Sequence, residues 1–207
     1  MSLRHTYTYI APLYDSAVEA ATRGMRKNSL QALSAGAGAG AKNILLSGVG
    51  TGLDFAHLPD GPRYTAADFN AAMLARALSR ASARRPNLQV DFVRGNSMAL
   101  PFADDSFDAV VLHLIVAVVP CPLACLQESA RVLKPGGQVL ILDKFLKPGE
   151  TAWLRRALNP LVRRIATRLD VVFEELLAEV PTLKLQQDSP VLAGGWFRSI
   201  RLKKLCK

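Results

Sequence analysis

A short apolar run that ends in closely spaced glycines constrains this chain more than any other feature. Residues 44–46 are Ile-Leu-Leu, and the glycine turn, defined as residues 48–52, follows with the sequence Gly-Val-Gly-Thr-Gly. Glycines at this spacing let the backbone bend tightly and approach a ligand where no Cβ intrudes. In an open sheet of parallel strands, ligands bind at the carboxyl ends of the strands. The sequence therefore predicts a ligand crevice at the end of the first strand.

Short apolar runs alternate with helical stretches from residue 43 onward. This alternation is typical of a parallel sheet covered by helices on both faces, so we predict a doubly wound α/β domain. A turn at residues 134–137, Lys-Pro-Gly-Gly, is expected to end the third helix, because proline cannot continue it. The predicted strands are 43–48, 63–67, 89–93, 107–113 and 137–143, with helices at 53–58, 70–84 and 122–133 and later extended runs near 181–189 and 196–205.

A helical arm is predicted ahead of this domain. Apolar side chains recur at near-helical spacing over residues 14–33, and residues 34–41 form an alanine and glycine linker. We therefore divide the chain into an arm and linker at 1–40 and a main domain at 41–207. The sequence has no uncharged apolar run of about 18 residues and no secretion signal at its start, so a cytoplasmic protein is expected.

The net charge of +9 predicts attraction to an anionic partner, which leaves nucleic acid, an acidic membrane surface and a phosphorylated substrate open. Residues 153–169 combine an apolar helical stripe with five arginines. Such a helix can lie on the inner face of a membrane, or it can be a surface helix that packs its apolar stripe on the sheet. Cys121 and Cys125 have no further Cys or His nearby, so we predict buried, inert thiols and no metal.

Asp68 strengthens the prediction of a ligand crevice. It lies 20 residues after Gly48, at the end of the second predicted strand. A carboxylate there can accept hydrogen bonds from both hydroxyls of a ribose. A short acidic residue can also cap the helix that begins near Asn70. Both roles are open at this point.

Three further segments make the pattern specific: residues 95–102, residues 106–108 (Ser-Phe-Asp) and residues 128–137, which contain Arg-Val-Leu-Lys-Pro-Gly-Gly. Together with the glycine turn they resemble class I S-adenosylmethionine-dependent methyltransferases. The resemblance implies a mostly parallel seven-stranded sheet in the order 3-2-1-4-5-7-6. It also implies S-adenosyl-L-methionine as cofactor and S-adenosyl-L-homocysteine as product.

The same resemblance implies roles for individual residues. The glycine turn would wrap the methionine part of the cofactor, Asp68 would hold the ribose, and Asn96 and Met98 would flank the adenine. His113 and Tyr14 are the catalytic candidates, His113 as a base, although both could merely line the pocket. The predicted cofactor-binding residues are Tyr14, Gly48, Val49, Gly50, Gly52, Asp68, Phe69, Asn96, Ser97, Met98 and His113.

Two positions depart from the family pattern. Asn96 stands where an aspartate is usual, and its amide oxygen can accept the same hydrogen bond. Leu46 stands where an acidic residue normally orients the methionine amino group. We expect weaker affinity, a transfer of this task to Tyr14, Asp15 or a backbone carbonyl, or loss of cofactor binding.

Other segments suggest the acceptor. Residues 7–15, 116–122 and 196–201 resemble bacterial phosphatidylethanolamine N-methyltransferases. This implies an amine or oxygen acceptor such as a phospholipid headgroup, with contact to an anionic membrane; a quinone or a soluble metabolite is the alternative. No nucleic acid is expected, because the fourth strand lacks the polar-Pro-Pro-aromatic tetrad that stacks a base. A nicotinamide dehydrogenase and a non-catalytic protein of the same fold are the other rivals.

Overall fold

The computed structural model describes residues 22–34, 40, 42–146, 170–192 and 195–206. Seven strands form one sheet in the order β3-β2-β1-β4-β5-β7-β6, which confirms the predicted doubly wound fold and strand order. The strands are β1 Asn43–Ser47, β2 Arg63–Asp68, β3 Val90–Arg94, β4 Phe107–His113, β5 Leu133–Lys144, β6 Leu183–Leu192 and β7 Phe197–Lys204. The helices are α1, described over residues 22–30, α2 Ala71–Arg84, α3 Pro122–Val132 and α4 Phe173–Ala178, with 3₁₀ helices at Gln31–Leu33 and Leu53–His57.

Strand direction sets the position of the site. The pairs β1–β2, β1–β4, β2–β3 and β4–β5 are parallel, whereas β7 runs antiparallel between β5 and β6. The parallel strands therefore end together at one edge, named the carboxyl edge. The first residue of β7, Phe197, pairs with Lys144 at the end of β5, so β7 begins at this same edge.

Two hydrophobic clusters cover the two faces of the sheet. On one face α1 and α2 pack on the strands, and Leu30 and Leu33 are buried in the same cluster as Ile44. On the other face α3 and α4 pack on β4, β5 and β7, with Leu126 and Phe173 fully buried. The described part of the arm is therefore part of the domain core.

The start of β5 differs from the prediction. The strand begins at Leu133 and not at residue 137, because the Lys-Pro-Gly-Gly segment does not turn away from the sheet. Its register with β4 jumps from Phe107↔Leu133 to Ala109↔Gln138, so residues 134–137 form a bulge. Gly136 takes a φ of +77° within it, a conformation that glycine adopts readily.

Two smaller predictions need correction. The segment predicted as a helix at 53–58 is the 3₁₀ helix Leu53–His57. Cys121 is exposed, because it precedes the first turn of α3, whereas Cys125 is buried and burial raises the pKa of its thiol to about 12.

The predictions for residues 1–21, the linker and the arginine-rich helix at 153–169 lie outside the described residues, apart from Ser34 and Gly40. Across the described helices, none combines the length and apolar character needed to span a bilayer.

Candidate cofactor site

The glycine turn leaves β1 at the carboxyl edge in a left-handed conformation. Gly48, Gly50 and Gly52 have φ values of +73°, +57° and +78°. The N–H groups of Gly48 and Val49 both donate to the carbonyl of Ala67 on β2, at 2.9 and 3.0 Å. A Cβ at Gly50 would meet no atom within 4 Å, so the space beside this residue is open. The turn and this open space are named the cradle.

Asp68 faces this cradle from the end of β2. Its Oδ2 accepts from the N–H of Gly50 at 2.9 Å, and its Oδ1 accepts from the N–H of Asn70 at 2.8 Å. A carboxylate has about four lone-pair positions, so two acceptor positions remain. Burial raises the pKa of Asp68, although both hydrogen bonds oppose the rise. Asn70 itself caps α2, since its side chain accepts from Ala72, and the helix-capping alternative for Asp68 is therefore wrong.

The predicted adenine-flanking residues follow β3 at the same edge. Asn96 Oδ1 accepts from the N–H of Met98 at 3.0 Å, and Ser97 Oγ accepts from Ser47 Oγ at 2.9 Å. Phe69 follows β2 with 52% of its surface exposed, and the guanidinium of Arg94 lies 6.0 Å from its ring centre. The fold thus brings the glycine turn, Asp68, Phe69 and residues 96–98 to one edge.

A pair on α3 holds the segment that carries these residues. Glu128 Oε2 accepts from the N–H of Leu100 at 2.6 Å, while Arg131 donates to the carbonyls of Leu100 and Phe102 at 3.1 and 2.8 Å. The hydrogen bond from Arg131 is the main cause of a lowered pKa at Glu128. Sequence reasoning gave neither side chain a role. Their three-residue spacing on a helix was the available signal, because it puts both on one face.

Asp143 organises the segment after β4 in a similar way. It is buried at the end of β5, and its Oδ2 accepts from the N–H of Ala117 at 3.0 Å. Burial raises the pKa of Asp143, although the backbone hydrogen bonds that its carboxylate accepts oppose this rise. The segment it holds begins at Leu114, which has a positive φ of 58°. This role too was missed from sequence.

Leu46 is 1% exposed and belongs to the hydrophobic cluster under α1 and α2. It therefore offers nothing to an amino group, as the sequence indicated. Tyr14 and Asp15, the proposed substitutes, lie outside the described residues.

His113 ends β4 within a buried polar group, named the Asp54 cluster and formed by Arg26, Ser29, Asp54 and His113. Arg26 Nη1 donates to Asp54 Oδ1 at 2.8 Å, His113 Nδ1 lies 2.8 Å from the same oxygen, and Ser29 Oγ lies 3.0 Å from His113 Nε2. Burial raises the pKa of Asp54, but His113 and Arg26 outweigh it and hold that pKa well below its usual range. Both ring nitrogens of His113 thus have partners, and its role as a base stays a prediction.

Two alanine substitutions in the glycine turn should behave differently. A Cβ at Gly48 would lie 2.5 Å from Ile115 Cγ1, whereas one at Gly50 meets open space. Both positions have left-handed backbone, which costs about 1 kcal/mol or more for alanine. We expect Gly50→Ala to lower the free energy of unfolding by about that amount and Gly48→Ala by roughly twice as much. Urea unfolding followed by circular dichroism measures both; equal losses would contradict the close packing at Gly48.

Comparison with known proteins fits this geometry. A family model described as a methyltransferase domain matches residues 45–141. A phosphatidylethanolamine N-methyltransferase of Cereibacter sphaeroides is 31% identical over 162 residues, which cover 78% of this chain and 79% of that protein. The chain belongs to the S-adenosylmethionine-dependent methyltransferases.

Further matches place this methyltransferase among relatives with different acceptors. A demethylmenaquinone methyltransferase of Mycolicibacterium paratuberculosis is 31% identical over 193 residues, covering 88% of this chain and 78% of that protein. The crystal structure of the YcgJ protein from Bacillus subtilis superposes with a TM-score of 0.72 at 18% identity, covering 89% of this chain and all of that chain. That structure shares the fold.

The cofactor of this methyltransferase is S-adenosylmethionine. The residues at the carboxyl edge fit it, because the open cradle at Gly50 admits a ligand without displacing a side chain and Asp68 keeps acceptor positions for two hydroxyl donors. Membership of the methyltransferase family sets aside the nicotinamide dehydrogenase and the non-catalytic alternatives. Among the described residues, no group of three His, Cys, Asp or Glu side chains is placed to hold a metal ion.

Proposed function

We propose that this methyltransferase transfers a methyl group to the amine of a phospholipid headgroup of the phosphatidylethanolamine class. The engagement of both nitrogens of His113 carries the proposal, together with the likeness to the Cereibacter relative. The headgroup ammonium must first lose its proton to water, and the neutral amine then brings its own lone pair to the reaction. Methylation of a quinone ring carbon also requires a base that removes the proton of that carbon, and both ring nitrogens of His113 already have partners.

Bound S-adenosylmethionine supplies a methyl group already activated by the sulfonium. The protein's own residues then have to hold the cofactor, align the acceptor and exclude water. The glycine turn and Asp68 serve the first task. Glu128 and Arg131 fix the segment beside the adenine position, and Asp143 fixes the segment after β4, on the acceptor side.

A basic surface on β6 and β7 supports contact with an anionic membrane, and its residues Lys184 and Lys203 lie toward the edge of the sheet opposite the cofactor site. Arg201 and Lys203 alternate with the buried Leu202, so they share the outer face of β7. Lys184 on β6 pairs directly with Lys203 and joins that face. Asp188 is the acidic residue of these two strands, and it accepts a hydrogen bond from Arg198. Arg198 lies on the core-facing side of β7, opposite the side of Arg201 and Lys203. We name Lys184, Arg201 and Lys203 the basic face.

Exposed leucines lie along the same edge of the sheet as the basic face, although Leu185, which pairs with Leu202, lies on the opposite side of β6. β6 forms one edge of the sheet, and Leu185, Leu192 and Leu205 are 43%, 44% and 48% exposed at or beside it. Basic side chains next to anionic lipid contribute about 1 kcal/mol each, and exposed leucines can enter the headgroup region. Charge and apolar surface here both complement an anionic bilayer.

We expect the protein to sediment with phosphatidylglycerol vesicles at low salt and to be released as salt rises. Lys184→Glu combined with Lys203→Glu should weaken this binding about 10-fold or more, because two attractive charges become repulsive. The matched control is Lys27→Glu with Arg63→Glu, which makes the same change in net charge at exposed positions on α1 and β2. Equal weakening by both pairs would show that net charge alone binds the vesicles and would remove the basic face from the proposal.

Transfer of labelled methyl from S-adenosylmethionine tests the acceptor directly. Two sets of phosphatidylglycerol vesicles contain either phosphatidylethanolamine or demethylmenaquinone, and the extracted lipid is analysed by mass spectrometry. We expect label in the ethanolamine headgroup and much less label with Asp68→Ala at the same cofactor concentration. Label in the quinone alone, or in neither lipid, would overturn the proposal.

A further inference from the structure

The Asp54 cluster joins three elements at the carboxyl edge. Arg26 and Ser29 come from α1, Asp54 from the 3₁₀ helix after the glycine turn, and His113 from the end of β4. Arg26 and Asp54 are 28 residues apart, and Asp54 and His113 are 59 apart. The cluster therefore fixes how α1, the glycine turn and β4 sit relative to one another.

Stability alone gives little reason for these charges. Replacing a buried ion pair by apolar side chains of similar volume is often neutral or stabilising, because desolvation offsets the attraction between the charges. The side chains of Arg26 and Asp54 are only 9% and 5% exposed, so their desolvation is nearly complete. What a hydrogen-bonded cluster adds is a single geometry, since each donor must face its acceptor.

That geometry is passed on to the glycine turn through the backbone. Gly52 donates its N–H to the carbonyl of Val49 at 3.1 Å and accepts from the N–H of Phe55 at 3.2 Å. Asp54 lies between Gly52 and Phe55, so it belongs to the same hydrogen-bonded unit as the turn. A displacement of the Asp54 carboxylate would therefore move the backbone that forms the cradle.

We propose that the Asp54 cluster couples the seating of α1 to cofactor binding, with Ser29, Asp54 and His113 as positioning residues. In this assignment His113 holds Asp54 through Nδ1–H and accepts from the Ser29 hydroxyl at Nε2. The proposal rests on the cofactor site at the glycine turn and is independent of the acceptor. By thermodynamic reciprocity, cofactor binding must then stabilise the docking of α1.

Ser29→Ala tests the coupling with a single lost hydrogen bond, and Ser129→Ala is its matched control. Ser129 is also buried, and its Oγ donates to the carbonyl of Cys125 at 2.8 Å, on the opposite face of the sheet. Both variants are checked for folding by circular dichroism. Calorimetric titration with S-adenosylhomocysteine should give a dissociation constant about five-fold higher for Ser29→Ala and unchanged for Ser129→Ala.

Hydrogen exchange supplies the second readout. S-adenosylhomocysteine should slow amide exchange in residues 22–30 of the unaltered protein, and less so in Ser29→Ala. Equal dissociation constants for the two serine variants, or no protection of residues 22–30 on binding, would overturn the coupling. Methyl transfer to any acceptor plays no part in these measurements, so the acceptor proposal stands or falls separately.

Discussion

Replacing Arg26 with methionine is expected to lower the free energy of unfolding by about 3–5 kcal/mol, because it leaves the buried Asp54 carboxylate without its cationic partner. The matched control is Arg63→Met, which breaks an ion pair of the same 2.8 Å length with Asp91. That pair is exposed, so its loss should cost far less than the loss of the buried pair. Urea unfolding of both variants measures the two losses in free energy of unfolding. We expect their m values to equal that of the unaltered protein.

The pH dependence of this loss has a defined sign. The pKa of Asp54 is depressed in the folded protein, so the stability it contributes is present above its unfolded pKa of about 4 and is lost as the pH falls. The difference between the unaltered protein and Arg26→Met should therefore shrink below about pH 4. A difference that is small at pH 7, or that grows in acid, would contradict a buried, ionised Asp54.

Replacing Asp68 with alanine is expected to weaken S-adenosylhomocysteine binding roughly 100-fold, since two hydrogen bonds to a charged acceptor contribute about 1.5 kcal/mol each. Asp91→Ala, at an exposed carboxylate on the neighbouring strand β3, should leave the affinity unchanged. Calorimetric titration measures both. Near-native affinity in Asp68→Ala would remove this residue from the cofactor site.

Binding by Asp68 also predicts an effect of pH. Burial raises the pKa of Asp68, and hydroxyl donors favour its ionised form. Affinity for S-adenosylhomocysteine should therefore fall as the pH is lowered toward the raised pKa, which lies above the ordinary carboxyl value of about 4. The Asp68→Ala variant should lack this dependence.

Local patterns in the sequence were enough to predict which strand ends form the site. The apolar run before the glycine turn and the position of Asp68 identified two neighbouring strand ends, and both meet at the carboxyl edge. The strand order followed from the family resemblance. Local signals failed at residues 134–137, where proline and glycine predicted a turn but the sheet absorbed them as a bulge.

The Asp54 cluster could not be predicted for a different reason. Its members lie far apart in the sequence, and each has an ordinary local explanation: Arg26 as a surface cation, Ser29 as a helix residue and His113 as a base at a strand end. Only the packing of α1 onto the sheet brings them together. The available signal in the sequence was Asp54 itself, because an acidic residue between the apolar Leu53 and Phe55 indicates a buried charge that needs a partner.

The position of β7 has a consequence for synthesis on the ribosome. β6 leaves the ribosome before β7, yet β7 is its sole neighbour in the described sheet and also pairs with β5 over seven positions. A nascent chain that has emerged only through β6 therefore exposes one open side of β5 and carries β6 unpaired. Unpaired strands of this kind promote aggregation between neighbouring nascent chains. The risk of aggregation therefore falls once β7 has emerged and has paired with β5 and β6.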